Sequence, residues 1–327
     1  AVQDDVATSV VESLRIRLVK QPTPLRETNA EAYSLYLQAL FFIIKETREG
    51  RARALEKLQE ALALDPGYAP AVERLATVYV MQSNAGERPF EAGYELARST
   101  ALKALEIDPG LATTWGTLTY IEAYYDWDWQ AAGRSVEQML ERGPGNALTR
   151  RAAAMYYGVL GQFEHALELK NQAIQLDPIT PDFREQKVFS LLALMRLEEA
   201  EQTIIEVLEA HPDLHSAHRL HAKSLLLSGD AQQALQILES LPGAYHHDES
   251  LRAMALYSIG RVPESQDVID DMFTEAREIS YTGGISFHSA LYYAWIGERD
   301  LAFTHLEQAF EGTYRPMAYI LGEPLLY

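Results

Sequence analysis

Five prolines at regular distances along the chain limit its fold more strongly than any other feature of the sequence. Each proline follows a small or apolar residue by five positions, and the pairs are Ala61/Pro66, Ala104/Pro109, Met139/Pro144, Ala173/Pro178 and Val207/Pro212. Successive prolines are 43, 35, 34 and 34 residues apart. A recurring period of this length indicates a repeat protein, in which each unit packs only on its neighbours.

A single repeat is clearest in residues 147–178, where two helical patterns meet at Gly161. The 34-residue period and the placement of small residues within it identify the tetratricopeptide (TPR) repeat. Small side chains let helix backbones approach to about 8 Å, the short end of helix packing. Alanines recur at equivalent positions, namely Ala39, Ala54, Ala61, Ala76, Ala104, Ala132, Ala154, Ala166, Ala173, Ala200, Ala222, Ala234, Ala253, Ala290, Ala302 and Ala309.

Weaker repeats follow the regular ones and are located by their turn glycines, Gly229, Gly260 and Gly297. We therefore expect an all-α protein, a right-handed TPR superhelix (α-solenoid) of about eight helix–turn–helix repeats. The predicted organisation has three parts: an N-terminal helix and linker from a preceding domain at 1–30, the TPR array at 31–312, and a C-terminal capping tail at 313–327.

The amino-acid composition argues against two classes of partner. The chain has 327 residues and a net charge of -19, and it contains no cysteine. A strongly acidic chain repels phosphate backbones, so we expect no nucleic-acid binding by this segment. No apolar run reaches the roughly 18 residues that a membrane helix needs, so we expect no membrane binding by it either.

Motifs for catalysis are missing from the sequence, which has no phosphate loop, G-x-S-x-G or H-E-x-x-H motif. We expect no enzymatic activity and no cofactor. His215, His218 and His221 step by three along one predicted helix and are candidate metal ligands or pH sensors. The alternative, which we favour, is that they are half-buried packing residues.

Four segments carry a closer likeness: AEAYSLYLQAL, ALALDPGYAPAVERLATVY, YYDWDWQAAGRSVEQML and GVLGQFEHALELKNQAIQLDP. They resemble the C-terminal TPR regions of bacterial class III adenylate cyclases and winged-helix transcriptional regulators. In those families a TolB-like domain often precedes the repeats, and its last helix is similar to QDDVATSVVESLRIRL at the start of this chain. The resemblance implies that a cyclase or DNA-binding domain lies upstream.

The concave face of a TPR array is formed by positions five and nine of each first helix, and we expect a protein or peptide partner there. The predicted contact residues are Tyr120, Arg151, Met155, Glu185, Phe189, Arg219, Lys223, Met254 and Phe287. Three bases against one acid favour an acidic or amphipathic peptide. The alternative is that these bases only neutralise nearby acids such as Glu185.

Together the repeats and the resemblance predict a non-enzymatic protein–protein interaction scaffold. Its role would be the regulatory or partner-binding module of a bacterial signalling or transcription-regulatory protein. The alternative is a small-ligand or metal sensor, which would need a closed pocket. We expect a cytoplasmic location, or a periplasmic one if the parent protein spans the membrane.

Overall fold

The structure is a computed structural model that describes residues 29–43, 47–178, 180–241, 246–278, 282–312 and 315–326. Within these ranges the chain forms eight pairs of α-helices and no β-strand. The pairs are α1 Ala30–Ile43 and α2 Arg48–Leu64; α3 Ala69–Asn84 and α4 Phe90–Ile107; α5 Ala112–Ile121 and α6 Trp129–Arg142; α7 Ala147–Val159 and α8 Phe163–Leu176; α9 Pro181–Ala193 and α10 Leu197–Ala210; α11 His215–Ser228 and α12 Ala231–Ser240; α13 His246–Ser258 and α14 Val262–Glu278; α15 Thr282–Trp295 and α16 Arg299–Glu311. The predictions of an all-α fold and of eight repeats are confirmed. The helix predicted before residue 29 lies outside the described residues.

The second helices of three regular repeats end in the same way, at the aspartate that precedes the periodic proline. Asp65, Asp108 and Asp177 have φ between -136° and -140° and ψ between 88° and 94°. The residue before a proline is restricted to extended backbone, so the helix cannot continue through it. In each case the aspartate N–H still donates to the carbonyl of an alanine four residues earlier, at 2.9 Å.

The turns inside the repeats use left-handed backbone. Gly161, Gly229, Gly260 and Gly297 have φ between 72° and 89°, a conformation that glycine adopts without steric cost. Met195 occupies the corresponding position between α9 and α10, with φ of 54°. The left-handed turn is therefore present at residue 195, although this residue is not a glycine.

All of the alanines that mark the repeats are buried, at 6% exposure or less. Ala154 of α7 and Ala166 of α8 belong to one repeat, and both are fully buried. Because even one added methylene group in such a packed site strains its neighbours, substitution there would cost about 1 to 3 kcal/mol. The periodic small residues thus set the helix packing, as the sequence predicts.

The chain divides into two compact units, which are Ala1–Ile121 with Arg134–Thr149 and Glu122–Gly133 with Arg150–Tyr327. In the first unit, α1 to α3 pack around a buried cluster that includes Ala39, Leu58 and Val78. In the second unit, the helices from α11 to α16 share a larger buried cluster.

The first unit carries a buried polar network between two of its first helices. Glu73 of α3 is 2% exposed, and its Oε1 accepts from Thr77 Oγ1 at 3.0 Å and from Thr117 Oγ1 at 3.1 Å. Thr117 lies on α5, the next first helix, so this carboxylate links two repeats. A buried carboxylate satisfied in this way fixes the packing of its neighbours.

The second unit contains two irregular segments. A π-helical turn at Glu122–Asp126 leads to Trp127, which has a φ of 56°. Two 3-10 helices, Arg315–Gly322 and Pro324–Leu326, follow α16. We call residues 315–326 the tail. Contacts between the tail and the first helices of this unit are central to the candidate site.

Candidate partner-binding face

The nine predicted contact residues fall in both units. Tyr120 belongs to the first unit, at the end of α5, where its hydroxyl accepts from Asn84 Nδ2 at 3.0 Å. The other eight lie in the second unit on α7, α9, α11, α13 and α15, all of which are first helices. We call this set of first-helix positions in the second unit the inner face.

At the start of the inner face the side chains are open to solvent. Arg151 Nη1 of α7 donates to Asp182 Oδ2 of α9 at 2.8 Å, and both side chains are more than 40% exposed. Phe189, also on α9, is 44% exposed, and Met155 is half-buried. The carboxylate of Glu185, on the same helix, accepts from Ser216 Oγ of α11.

The middle of the inner face holds a buried carboxylate. Asp248 of α13 has a side chain only 5% exposed and accepts from two residues of α11. Arg219 Nε lies 2.5 Å from Oδ1, and His215 Nε2 lies 2.8 Å from Oδ2. Hydrogen bonds that involve ionised groups are stronger than neutral ones, so this cluster fixes α11 against α13.

Lys223 has a carboxylate partner outside the repeats. Its Nζ lies 2.7 Å from Oε1 of Glu323 in the tail, and only 10% of the lysine side chain is exposed. The two residues are one hundred positions apart in the sequence. The tail therefore reaches the inner face at its most buried base.

Tail residues that precede Glu323 contact the π-helical turn and the end of α7, beside the inner face. The ring of Tyr319 lies 5.4 Å from that of Tyr124, centroid to centroid. A methyl group added at Gly158 of α7 would lie 3.3 Å from Tyr319 Cε1, and one added at Gly161 would lie 3.3 Å from Leu321 Cδ1. The tail thus runs past the end of α7, where two glycines leave room for its side chains.

The tail also closes the last part of the inner face. Met254 and Phe287 are 0% and 5% exposed, within one buried cluster that also contains Met317 and Leu325 of the tail. The 3-10 helix Pro324–Leu326 contacts α15. The described tail residues therefore contact the last first helix and also extend well beyond it. In this structure Met254 and Phe287 form part of the core.

Two basic groups with lowered pKa values also lie among these helices. The pKa of His247 is well below the usual value, first because of burial and then because of His288, Arg219 and Lys223 nearby. The rings of His247 and His288 are 4.3 Å apart, centroid to centroid. No periodic signal marks such a pair, because it joins α13 to α15.

Lys170 is the second such group. It lies on α8, is 7% exposed, and donates to the carbonyl of Gln186 at 2.6 Å and to Ser190 Oγ at 2.8 Å. Burial lowers its pKa to about 7, an effect that the negative charge of Asp182 opposes.

The three histidines proposed as candidate metal ligands have three different partners. His215 pairs with Asp248, His221 Nε2 lies 2.9 Å from Glu201 Oε1, and His218 Nε2 lies 2.7 Å from the carbonyl of Pro212. Among the described residues, no group of three or more histidine, aspartate or glutamate side chains is arranged to hold a metal ion. These contacts support the packing role for the histidines.

Comparison with known proteins supports the repeat architecture. No family model matches the chain. A segment of 74 residues is 35% identical to the TPR repeat-containing thioredoxin TTL4 of Arabidopsis thaliana, and it represents 23% of this chain and 11% of that protein. The match thus spans only about a tenth of the thioredoxin's length.

Solved structures that match over most of the chain include the following three. A tetratricopeptide repeat protein from Parabacteroides merdae matches with a TM-score of 0.53 at 13% identity, over 86% of this chain and 100% of that one. Human IFIT1, solved with m7Gppp-AAAA, matches with a TM-score of 0.57 at 14% identity, over 95% and 78%. Yeast Tom70 matches with a TM-score of 0.54 at 15% identity, over 94% and 66%.

These similarities show that the chain has the TPR fold, a scaffold that commonly mediates interactions between proteins. Stacked helical repeats create extended surfaces suited to such binding. None of the described helices combines the length and hydropathy that crossing a membrane would require.

Proposed function

We propose that this chain is a non-enzymatic scaffold that binds a protein segment on its inner face, as the partner-binding module of a bacterial signalling or transcription-regulatory protein. The observation that carries the proposal is Phe189, a large aromatic side chain left 44% exposed on a first helix. Exposed aromatic residues on a concave surface are typical anchors of binding energy. The regulatory context, and with it a cytoplasmic location, rests on the resemblance described above.

The charged residues near Phe189 indicate the chemistry of the partner. Arg151 lies on the first helix next to that of Phe189, and its pair with Asp182 is open to solvent. Exposed pairs contribute only about 0 to 1 kcal/mol, so a carboxylate from a partner can replace Asp182 at little cost. An amphipathic segment with an acidic residue would use both Arg151 and Phe189. A nucleic acid would instead have to approach a chain of net charge -19.

The test is selection of binding peptides followed by titration. A library of random displayed dodecapeptides is panned on the immobilised chain, and enriched peptides are synthesised and titrated against wild type and Phe189→Ser. Loss of a central anchor costs about 2 kcal/mol or more, so we expect affinity to fall about thirtyfold.

The matched control is Ile205→Ser on α10, a second helix. Ile205 is also 44% exposed and lies in the same unit, so its loss removes a comparable apolar surface away from the inner face. Peptides that bind both variants as well as wild type would refute the proposed face. Failure to enrich any peptide would refute the proposed function.

A further inference from the structure

The three bases of the inner face pair with acids that come from different parts of the second unit. Arg151 and Arg219 pair with Asp182 and Asp248, which belong to neighbouring first helices. Lys223 pairs with Glu323, the sole acidic residue among positions 313–327. Of these three acids, Glu323 is the one that lies outside the repeats, so it can be displaced together with the tail.

The tail has space at the end of α7, beside the inner face, because two side chains are missing there. Gly158 is the next-to-last residue of α7. Tyr319 lies against this position, and Leu321 lies against Gly161 in the following turn. On the tail's side, Gly322 lies against Phe163 and Ala193, and a methyl group there would be 2.7 Å from Phe163 Cε1.

The tail has little structure of its own to hold it in place. It consists of two 3-10 segments, whose hydrogen bonds have poorer geometry than those of an α-helix. Around Glu323 the backbone bonds are Glu323 N–H to Ile320 O and Leu326 N–H to Glu323 O, both 3.2 Å. Side-chain contacts with the repeats therefore supply most of what positions this segment.

We propose that residues 317–326 are an intramolecular ligand of the inner face, and that the partner is a protein segment of the same chemistry that binds by displacing them. This inference rests on the proposed function and specifies its partner. The segment would carry an aromatic side chain for the Gly158 site, a carboxylate four residues later for Lys223, and an aliphatic residue after it. The tail lowers the apparent affinity for the partner by occupying the face.

Charge supports this partner over an uncharged apolar one. Lys223 has only a tenth of its side chain exposed, and a buried ammonium without an anion is costly. A partner that removed Glu323 without replacing its carboxylate would leave that cost in place. The incoming segment must therefore bring an acid to the same position.

The experiment uses the full chain and a labelled peptide with the sequence of residues 317–326, MAYILGEPLL, in fluorescence anisotropy. Glu323→Lys sets two positive charges against each other and releases the tail, and Gly322→Val releases it by steric conflict with Phe163. If the tail covers the face in nine molecules of ten, either variant should bind the peptide about tenfold more tightly than wild type. Glu209→Lys on α10, an exposed acid outside the inner face, is the charge-matched control and should behave as wild type.

A second set of titrations tests whether the charge of residue 223 decides which peptide binds. Lys223→Glu should bind a peptide with lysine in place of its glutamate and should lose affinity for the original peptide. Equal affinity of wild type, Glu323→Lys and Gly322→Val for the peptide would overturn the proposal, as would indifference to the charge at Lys223. Circular dichroism confirms that each variant is folded.

Two further outcomes separate this inference from the proposed function. If Glu323→Lys enriches library peptides that lack an acid, the binding function stands and the tail-like partner is wrong. If wild type is a dimer in size-exclusion chromatography and Glu323→Lys separates it, the tail binds a second copy of the chain, which also overturns the intramolecular ligand.

Discussion

Met195 and Gly229 lie 34 residues apart and occupy the same turn of successive repeats, both with left-handed backbone at φ of 54° and 89°. This conformation costs an L-residue with a Cβ about 1 to 2 kcal/mol, while glycine adopts it freely. Met195 is 53% exposed, so it gains little burial in return. Met195 is strained because it keeps the left-handed turn of the repeat without being a glycine.

The first prediction is that Met195→Gly raises the free energy of unfolding by about 1 kcal/mol, since the relief of strain exceeds the greater freedom of glycine in the unfolded chain. Urea denaturation measures the change. Gly229→Met is the reciprocal variant; a methyl group there would contact nothing within 4 Å, so only the backbone conformation is tested. It should lower the unfolding midpoint, and a shift of both variants in the same direction would contradict the explanation.

The second prediction concerns the buried carboxylate. Asp248→Ala should cost about 2 to 3 kcal/mol, because it removes a buried carboxylate that accepts from both Arg219 and His215. Asp182→Ala removes the exposed acid beside Arg151 and should cost no more than about 1 kcal/mol. Similar losses of stability in the two variants, measured by urea unfolding, would show that burial does not set the strength of these pairs.

The third prediction is a loss of stability on acidification through His247. In the unfolded chain histidine takes up a proton near pH 6.5, whereas in the folded chain the pKa is well below that value. Below pH 6.5 the unfolded state therefore binds more protons, and stability falls by up to about 1.4 kcal/mol per pH unit until the folded pKa is reached. Besides burial, the groups that lower the pKa of His247 are His288 of α15 and Arg219 and Lys223 of α11.

Unfolding in urea at pH 6.5 and 5.5 measures this effect in wild type and His247→Gln. The variant should lose less stability than wild type over that interval. His211→Gln, an exposed histidine at the end of α10, controls for the loss of an imidazole. Equal pH dependence of wild type and His247→Gln would contradict the role of this side chain.

The fourth prediction concerns Lys170, whose pKa burial lowers to about 7. In the unfolded chain a lysine keeps its proton up to about pH 10.4. Between pH 7 and 9 the unfolded state therefore binds more protons, and stability should rise with pH by up to about 1.4 kcal/mol per unit. Lys170→Met should abolish that rise, whatever its effect on stability at pH 7. If the stability of Lys170→Met still rises between pH 7 and 9, groups other than Lys170 cause the rise.

The sequence predicted the repeats well because they depend on local signals. Alanines at fixed spacing, aspartate before proline and glycine in the turns each act within a few residues. The 34-residue distance from Gly161 would also have located the strained turn at Met195. The register placed Phe189 and Lys223 on first helices for the same reason.

What covers those helices was not predicted from the sequence. The contact between Lys223 and Glu323 joins residues one hundred positions apart, and no period relates them. The bases were expected either to face a partner or to neutralise acids such as Glu185. In the structure Arg151, Arg219 and Lys223 pair with Asp182, Asp248 and Glu323, and the repeat register alone does not identify these partners.

The last prediction tests whether steric fit at Gly322 holds the tail on the inner face. A Cβ at this position would lie 2.7 Å from Phe163 Cε1 and 2.9 Å from Cζ, so valine there cannot fit unless the tail or the Phe163 ring moves. We expect Gly322→Val to speed hydrogen exchange of the tail amides, while the amides of α7 and α9 exchange as in wild type. Local opening of this kind is the motion that hydrogen exchange detects.

Gly145→Val places the same side chain at a glycine where a Cβ would meet nothing within 4 Å, and it should leave the tail unchanged. Unaltered tail exchange in Gly322→Val would mean that contacts other than Phe163 and Ala193 position the segment, whereas faster exchange throughout α7 and α9 would mean that the tail is part of the core of the second unit.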